Sequence, residues 1–335
     1  MNNDPSCYRV ILATNDKGYR FLKVAVHTLV THVDPAKPYE ICILEGEGGV
    51  SAANKEDLAK IVGGRFPVKW VDVDPYLDAH REELLRINRG RTLMIWARIF
   101  CGEIFGDVDA NALYLDTDTY VNGDLAELFD LNLGENLVGM VPEDAKGEIQ
   151  RGRVFRRECM PDGLTVYCNA GVMLFNPARW KREEAGRRLL DWGLKWDSAF
   201  RDQDAVNAVF WDRIRILPTK WNYHDGWVER SIRRSANARA WLGNDPLDVM
   251  EAILKPKILH YWGGRKPWKF NHRPERLRYE RALRELGLLD GELEGSTFLK
   301  RLTLPFWDAF HWVIKRIVRM RYRRLQAKRS RARDD

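Results

Sequence analysis

Cysteine is scarce. The five residues Cys7, Cys42, Cys101, Cys159 and Cys168 are odd in number, scattered, and never in a CxxC spacing. That pattern argues against a disulfide framework or a cysteine zinc site, and a reducing compartment fits it best. The chain also lacks any window of 18 uncharged apolar residues, and its start, Met1-Asn2-Asn3-Asp4-Pro5, has no basic region followed by an apolar core. Neither a membrane-spanning helix nor a secretory leader is therefore expected. No GxGxxG follows the first apolar run, so the dinucleotide fingerprint of a dehydrogenase is missing. Internal repeats and low-complexity stretches are absent too. What is present, 45% hydrophobic and 11% aromatic residues with 13 Trp, describes a folded chain with one large core, or a core plus an appendage.

The net charge of +7 is unevenly spread. Twelve Lys or Arg against three Asp from Lys300 to Asp335 give +9, which leaves −2 for the preceding 299 residues. A near-neutral body with a basic end points to a phosphate polyanion as partner of that end, either nucleic acid or an anionic membrane surface.

Apolar runs and helical patterns alternate along the body. Strands are expected at 9–13, 39–44 and 68–73, helices at 21–30, 53–61 and 92–105, then a strand through Leu113. Strands that are almost continuously apolar and separated by helices predict an α/β fold, Rossmann-like, with a mostly parallel sheet covered by helices on both faces. Further strands are expected at 137–141, 165–175 and 257–260, with helices at 179–196 and 202–211. The polar, Lys- and Arg-containing segment 145–157 reads as an exposed flap. A Gly-containing break at 286–295 marks a boundary, giving a catalytic body at 1–290 and an extension at 291–335.

Four elements carry chemistry. The run 112–121 ends an apolar strand with Asp116-Thr117-Asp118, two carboxylates one residue apart, whose side chains leave an extended segment on the same side. Oxygen ligands of this kind suit Mn²⁺ or Mg²⁺ shared with a phosphate, although a capped strand end with two solvated carboxylates is the plainer alternative. In the segment from Ile258 to Trp268, His260 ends a strand, Gly263-Gly264 lets backbone approach a phosphate, and Lys266 offers a point charge. A third ligand from His260 would favour Mn²⁺ over Mg²⁺, while a lone strand-end His is more commonly structural. Asp202-Gln203-Asp204 opens a helix, where acidic residues also simply complement the dipole. In Tyr167-Cys168-Asn169-Ala170-Gly171-Val172, small residues beside Asn169 admit a hydroxylated ligand or pack a tight strand.

In this order, DxD, Asn-Ala-Gly, Asp-Gln-Asp and HxxGxxKPW, the chain closely resembles glycosyltransferase family 8, retaining enzymes that include bacterial lipopolysaccharide galactosyltransferases, glucosyltransferases and glycogenin. The resemblance runs from about Arg9 to Trp268. It implies a GT-A fold, a UDP-sugar donor and Mn²⁺, with Mg²⁺ as substitute. It implies Asp116, Asp118 and His260 as metal ligands with Thr117 between the carboxylates, and Gly263 and Lys266 at the diphosphate. Ala13, Thr14, Asn15 and Asp16 resemble the uridine-contacting first loop, which departs from the paired acidic residues frequent in relatives. Arg98 resembles the donor-binding arginine, and Asn169, Asp202 and Gln203 resemble the residues around the transferred sugar. The expected reaction is transfer of galactose or glucose to a saccharide or lipid-linked saccharide. It proceeds by same-face attack or by double displacement, with Asp202 the first carboxylate to consider as nucleophile. Two rivals are a non-catalytic sugar-nucleotide-binding protein and a phosphatase using Asp116-Thr117-Asp118-Thr119 as a DxDxT motif, which leaves 260–268 unexplained.

In the tail, Phe306, Phe310, Val313, Ile317 and Met320 recur at spacings of four and three with Trp307 and Ile314 alongside, while Asp308, Lys315, Arg316 and Arg319 take the other face. This pattern predicts a helix lying in an anionic membrane surface through 300–333, with a helix packed on the body as the alternative. With no nucleic-acid module beside the charge, nucleic acid is not an expected partner. The expected location is the cytoplasm, peripheral on the cytoplasmic face of a membrane.

Overall fold

A computed structural model describes residues 7–88, 90–143, 159, 161, 163–224, 245–263, 266–269, 275–291, 293 and 297–334. The flap expected at 145–157 lies outside them. The strands are β1 (Tyr8–Thr14), β2 (Tyr39–Glu45), β3 (Val68–Asp72), β4 (Ala112–Leu115), β5 (Thr119–Val121), β6 (Val138–Pro142), β7 (Cys168–Phe175), β8 (Ile214–Ile216) and β9 (Ile258–His260). Seven of them form one sheet in the order β3-β2-β1-β4-β7-β6-β8, and β5 pairs with β9 separately. The pairs β1–β2, β2–β3, β1–β4 and β6–β8 are parallel, whereas β7 runs antiparallel to both its neighbours. The mostly parallel α/β sheet is as expected, and the reversed β7 is the added feature.

Every residue of β2, β4 and β7 is buried because both sheet faces are covered. The period of two divides each strand between two cores. Val10, Leu12, Ile41, Ile43, Leu113 and Leu115 face one cluster, and Ile11, Cys42, Leu44, Ala112 and Tyr114 face the other. The first cluster is closed by helix α1 (Tyr19–His32) through Leu22 and Val26 and by helix α2 (Ala52–Val62) through Leu58. The second is closed by segment 93–105, by helices α3 (Pro177–Arg182) and α4 (Ala185–Lys195), and by helix α5 (Asp202–Val209).

Two expected helices differ in detail. The stretch 92–105 is a tight 3-10 segment, Leu93–Phe100, continued by a short α-helix, Cys101–Phe105. The stretch 179–196 is broken because Glu184, with φ of 49°, takes a left-handed conformation between α3 and α4. Nothing in the composition marks that turn, since left-handed backbone usually selects Gly or Asn.

Three pairings bring distant segments to the carboxyl edge of the parallel strands, the usual place for ligands in such sheets. Because β7 is antiparallel to β4, its beginning lies at that edge. Leu115 pairs with Val172, and the Asp116 N–H donates to the Gly171 carbonyl at 2.8 Å. In the small sheet Thr119 pairs with His260, and the Tyr261 N–H donates to the Asp118 carbonyl at 3.0 Å. Tyr223 bridges Leu259 and accepts from the His260 N–H at 2.9 Å.

Helices α6 (Pro246–Leu254) and α7 (Arg276–Glu285) precede one long helix, α8 (Phe298–Asp334), which lies against the body. Its inner face buries Ile314 and Val318 and forms ion pairs from Asp308 to Arg276, at 2.9 Å, and from Lys315 to Glu275, at 2.6 Å. Asp308 and Lys315 thus face the body, not solvent as the pattern suggested. The opposite face leaves Phe306, Phe310, Val313, Ile317 and Met320 exposed, with Phe306 at 68%. Among the described residues no helix is long and apolar enough to cross a membrane.

Candidate active site

Asp116, Thr117 and Asp118 occupy a turn, not the extended segment expected: the Thr119 N–H and hydroxyl both donate to the Asp116 carbonyl, at 3.2 and 2.7 Å. The turn, and not the pleat, brings the two carboxylates to one side. His260 joins them because of the β5–β9 register. Its Nε2 lies 3.0 Å from Asp118 Oδ1 and 3.6 Å from Asp116 Oδ2. One ligand atom from each of the three residues lies within 4.8 Å of the others.

Gly171 makes room for this cluster. A Cβ there would stand 2.0 Å from His260 Cε1 and 2.8 Å from Asp116 Oδ2, so no other residue fits without moving the ligand set. Two carboxylates and an imidazole are donors suited to a divalent ion of the Mn²⁺ type, and the Gly171 cradle keeps their approach open, so the residues present fit such a metal.

Positive charge surrounds the cluster. The buried Arg98 guanidinium donates to Asp116 Oδ1 at 2.7 Å and to the Ala170 carbonyl, pairs with Asp202 at 2.9 Å, and lies over the Tyr114 ring at 4.4 Å. Lys266 Nζ donates to Asp118 Oδ2 and to the Tyr261 carbonyl, the latter at 2.9 Å. Burial pushes the Asp118 carboxyl up, but His260 and Lys266 outweigh it and hold the group well below the ordinary carboxylate range. For Asp202 burial wins: despite Arg98, its carboxyl is pushed up to about 6, with Asp116 adding to the rise.

The sugar-side candidates form one hydrogen-bonded net. Gln203 Oε1 accepts from the Ala170 N–H at 3.0 Å and from Asn169 Nδ2 at 3.1 Å, while its Nε2 donates to Glu143 and to the Tyr167 hydroxyl, each at 3.0 Å. Asn169 also donates to Glu143 at 3.2 Å and accepts from Gly171 N and Asn222 Nδ2, both at 2.9 Å. All four positions of the Asn169 amide are therefore engaged within the protein. Tyr167 donates to Asp204 at 2.6 Å, and the Phe200 N–H holds the other Asp204 oxygen at 2.7 Å. Burial pushes the Asp204 carboxyl up to about 6.

The first loop sits apart from this net, at the end of β1. Ala13 is half-buried and Thr14 buried, and Asn15 caps the turn by accepting from Gly18 N at 3.0 Å while donating to Glu47 at 2.7 Å. Asp16 is exposed and accepts from Ser51 N at 3.0 Å and Asn54 at 2.7 Å, bonds that lower its carboxyl. Glu47 in turn accepts from Leu93 N at 3.0 Å, tying the ends of β1 and β2 to the start of the 93–105 segment. Gly263 takes a φ of 81°, while its neighbour Gly264 lies outside the described residues.

Sequence reasoning missed Glu47, Glu143 and Asn222, and it gave no role to Tyr167, which opens the 167–172 run. Glu47, Glu143 and Asn222 stand in no recognisable spacing, and only the fold brings them to the site. The family model for glycosyl transferase family 8 matches residues 9–272. The chain belongs to glycosyl transferase family 8. This membership removes the DxDxT phosphatase reading. The chain is 24% identical over 268 residues to general stress protein A of Bacillus subtilis, covering 78% of this chain and 87% of that one. It is 26% identical over 202 residues to the lipopolysaccharide 1,3-galactosyltransferase of Salmonella typhimurium, covering 57% of this chain. It spans only 54% of that relative's length. The galactosyltransferase LgtC, solved with donor and acceptor sugar analogs, superposes with a TM-score of 0.67 at 25% identity, over 85% of this chain and 97% of that one. The family 8 chain thus has the GT-A fold.

The elevated Asp204 carboxyl has a linkage consequence. A folded-state value above the unfolded one, near 3.8, contributes stability that is full below about pH 4 and is lost as pH rises through 6. Asp204→Asn is expected to remove that loss, so the difference in unfolding free energy between wild type and variant should change between pH 4 and 7. Urea unfolding across that range checks this, and a pH-independent difference contradicts it.

Proposed function

We propose that the chain is a retaining hexosyltransferase that moves galactose or glucose from a UDP-sugar to a saccharide or lipid-linked saccharide acceptor, with Mn²⁺ and secondarily Mg²⁺ as its metal. The observation that carries this reading is the convergence of Asp116, Asp118 and His260 beside Lys266. Breaking an anomeric bond to UDP leaves negative charge on the diphosphate, and aimed positive charge often contributes most to such a rate. Bound there, the metal supplies Lewis-acid stabilisation of that leaving group.

The protein's own residues do the rest. Arg98 holds Asp116 through Oδ1, which keeps Oδ2 directed toward His260. Lys266, held by the Tyr261 carbonyl, supplies a mobile point charge for a phosphate oxygen. Gly263 lets the same loop approach the diphosphate, and Ala13, Thr14, Asn15 and Asp16 line the uridine end. Asn169 and Gln203 fix the sugar side through Glu143 and Tyr167. Asp202 is paired to Arg98, and Gln203 has both amide atoms engaged, which supports same-face attack by the acceptor hydroxyl over a double displacement.

The C-terminal helix and the similarity to a lipopolysaccharide galactosyltransferase support the acceptor class. Residues 1–290 act as the catalytic body and 291–335 as a membrane-surface extension. Leu302, Phe306, Phe310, Val313, Ile317 and Met320 form an exposed apolar stripe facing away from the body, and Arg316 and Arg321 flank it before a strongly basic stretch, 323–333. Such a stripe supports attachment to an anionic interface, and on this reading the enzyme works in the cytoplasm against a membrane that carries lipid-linked saccharide.

Three measurements test this reading. Asp118→Asn is expected to abolish Mn²⁺-dependent UDP release from UDP-galactose or UDP-glucose, and undiminished release contradicts the metal assignment. UDP binding without turnover by the wild type, with lipid-linked saccharide extracts present, instead supports the non-catalytic rival. Phe306→Ser combined with Phe310→Ser and Ile317→Ser spares the packed face, and should abolish flotation with phosphatidylglycerol vesicles. Unchanged flotation refutes the membrane surface.

A further inference from the structure

The hydrogen bonds around His260 have a direction that can be worked out from groups whose roles are not negotiable. The Gly171 N–H can only donate, so the Asn169 atom facing it at 2.9 Å is the oxygen, Oδ1. Gln203 agrees: the Ala170 N–H fixes its Oε1, which then accepts from Asn169 Nδ2. The orientation of Asn169 is thereby set from both sides. Its Oδ1 takes a second bond, at 2.9 Å, from the side chain of Asn222, which must present its Nδ2. The oxygen of Asn222 is left facing His260 Nδ1 at 3.0 Å, so Nδ1 carries a proton and donates. Nε2 is the nitrogen directed at Asp118 and Asp116.

We propose that Asn222 is the positioning residue that fixes the ring orientation and tautomer of His260, presenting the Nε2 lone pair to the metal. The inference rests on the metal reading of the site given above. Asn222 is fully buried, follows the turn Thr219–Trp221 and precedes Tyr223, whose backbone pairs with β9 on both sides of Leu259. The same short segment therefore sets the strand position of His260 and its ring. Through Asn169 the relay continues to Glu143 and Gln203, so the metal side and the sugar side share one chain of amides. The Asn222 side chain hydrogen-bonds to Asn169 and His260, so it acts on the carboxylate cluster through His260. Partners of this kind, holding the second nitrogen of a ligating histidine, typically change metal affinity by about 10–100-fold when removed.

The test measures Mn²⁺ binding to the full-length chain by the electron paramagnetic resonance signal of free Mn²⁺, with thermal unfolding of each metal-free variant recorded alongside. Asn222→Ala should weaken Mn²⁺ binding by about 10–100-fold. Asn222→Asp keeps an oxygen for Nδ1 but sets it against Asn169 Oδ1, so it should lower the melting temperature yet bind Mn²⁺ more tightly than Asn222→Ala. A merely structural role predicts the reverse, with affinity following stability. In wild type labelled with ¹⁵N-histidine and loaded with diamagnetic Cd²⁺, His260 should show a protonated Nδ1 and a metal-bound Nε2. A metal-bound Nδ1, or unchanged Mn²⁺ affinity in Asn222→Ala, overturns the proposal while leaving the metal site standing. Absence of Mn²⁺ binding by wild type overturns both.

Discussion

Two carboxylates and an imidazole nitrogen held within 4.8 Å of one another repel unless positive charge lies among them, and much of the catalytic edge is arranged around that constraint. Backbone pairing brings the three groups together: β4 with β7 places Asp116 beside Gly171, and β5 with β9 places Asp118 beside His260. The compensating charges come from elements on opposite sides. Arg98 rises from beneath the sheet in the 93–105 segment, and Lys266 closes from the loop after β9. Under the proposed function, a nucleotide diphosphate would bring further negative charge to the same place and give the lysine a second partner.

The second constraint is satisfaction of buried polar atoms. Asn169 uses all four of its hydrogen-bonding positions, and Gln203 is held through both amide atoms. Leaving any of these unmade in a buried setting costs about 1–3 kcal/mol, so the net moves as a unit or not at all. That rigidity suits a site that stabilises charge by preorganised groups. The net also joins residues from the end of β6, from β7, from α5 and from just after the turn Thr219–Trp221, four segments far apart in sequence.

The α/β alternation was legible because both faces of the sheet are covered, which makes β4 and the greater part of β1 and β2 (10–13 and 41–44) continuous apolar runs. The Asp116, Asp118, His260 and Lys266 quartet was legible because its members stand in short motifs. The reason offered for the carboxylate pair was incomplete: a turn closed by Thr119, and not an extended pleat, sets their side. Asn222, Glu143 and Glu47 were illegible because each is a single residue whose importance comes from a long-range contact, and the part of Tyr167, within the 167–172 run, was illegible for the same reason. In the tail, the periodicity identified the apolar stripe, but it could not tell that Asp308 and Lys315 pair with Arg276 and Glu275, since a polar residue on a helix reads alike whether it meets water or an opposite charge.

The metal site and the diphosphate clamp are one claim, and diffraction from crystals grown with Mn²⁺ and UDP, recorded at the manganese absorption edge, tests it most directly. The account predicts an anomalous peak bounded by Asp116, Asp118 and His260 Nε2, with a diphosphate oxygen as a further ligand and Lys266 turned toward the phosphates. Crystals that hold UDP but show no peak between these three residues contradict it.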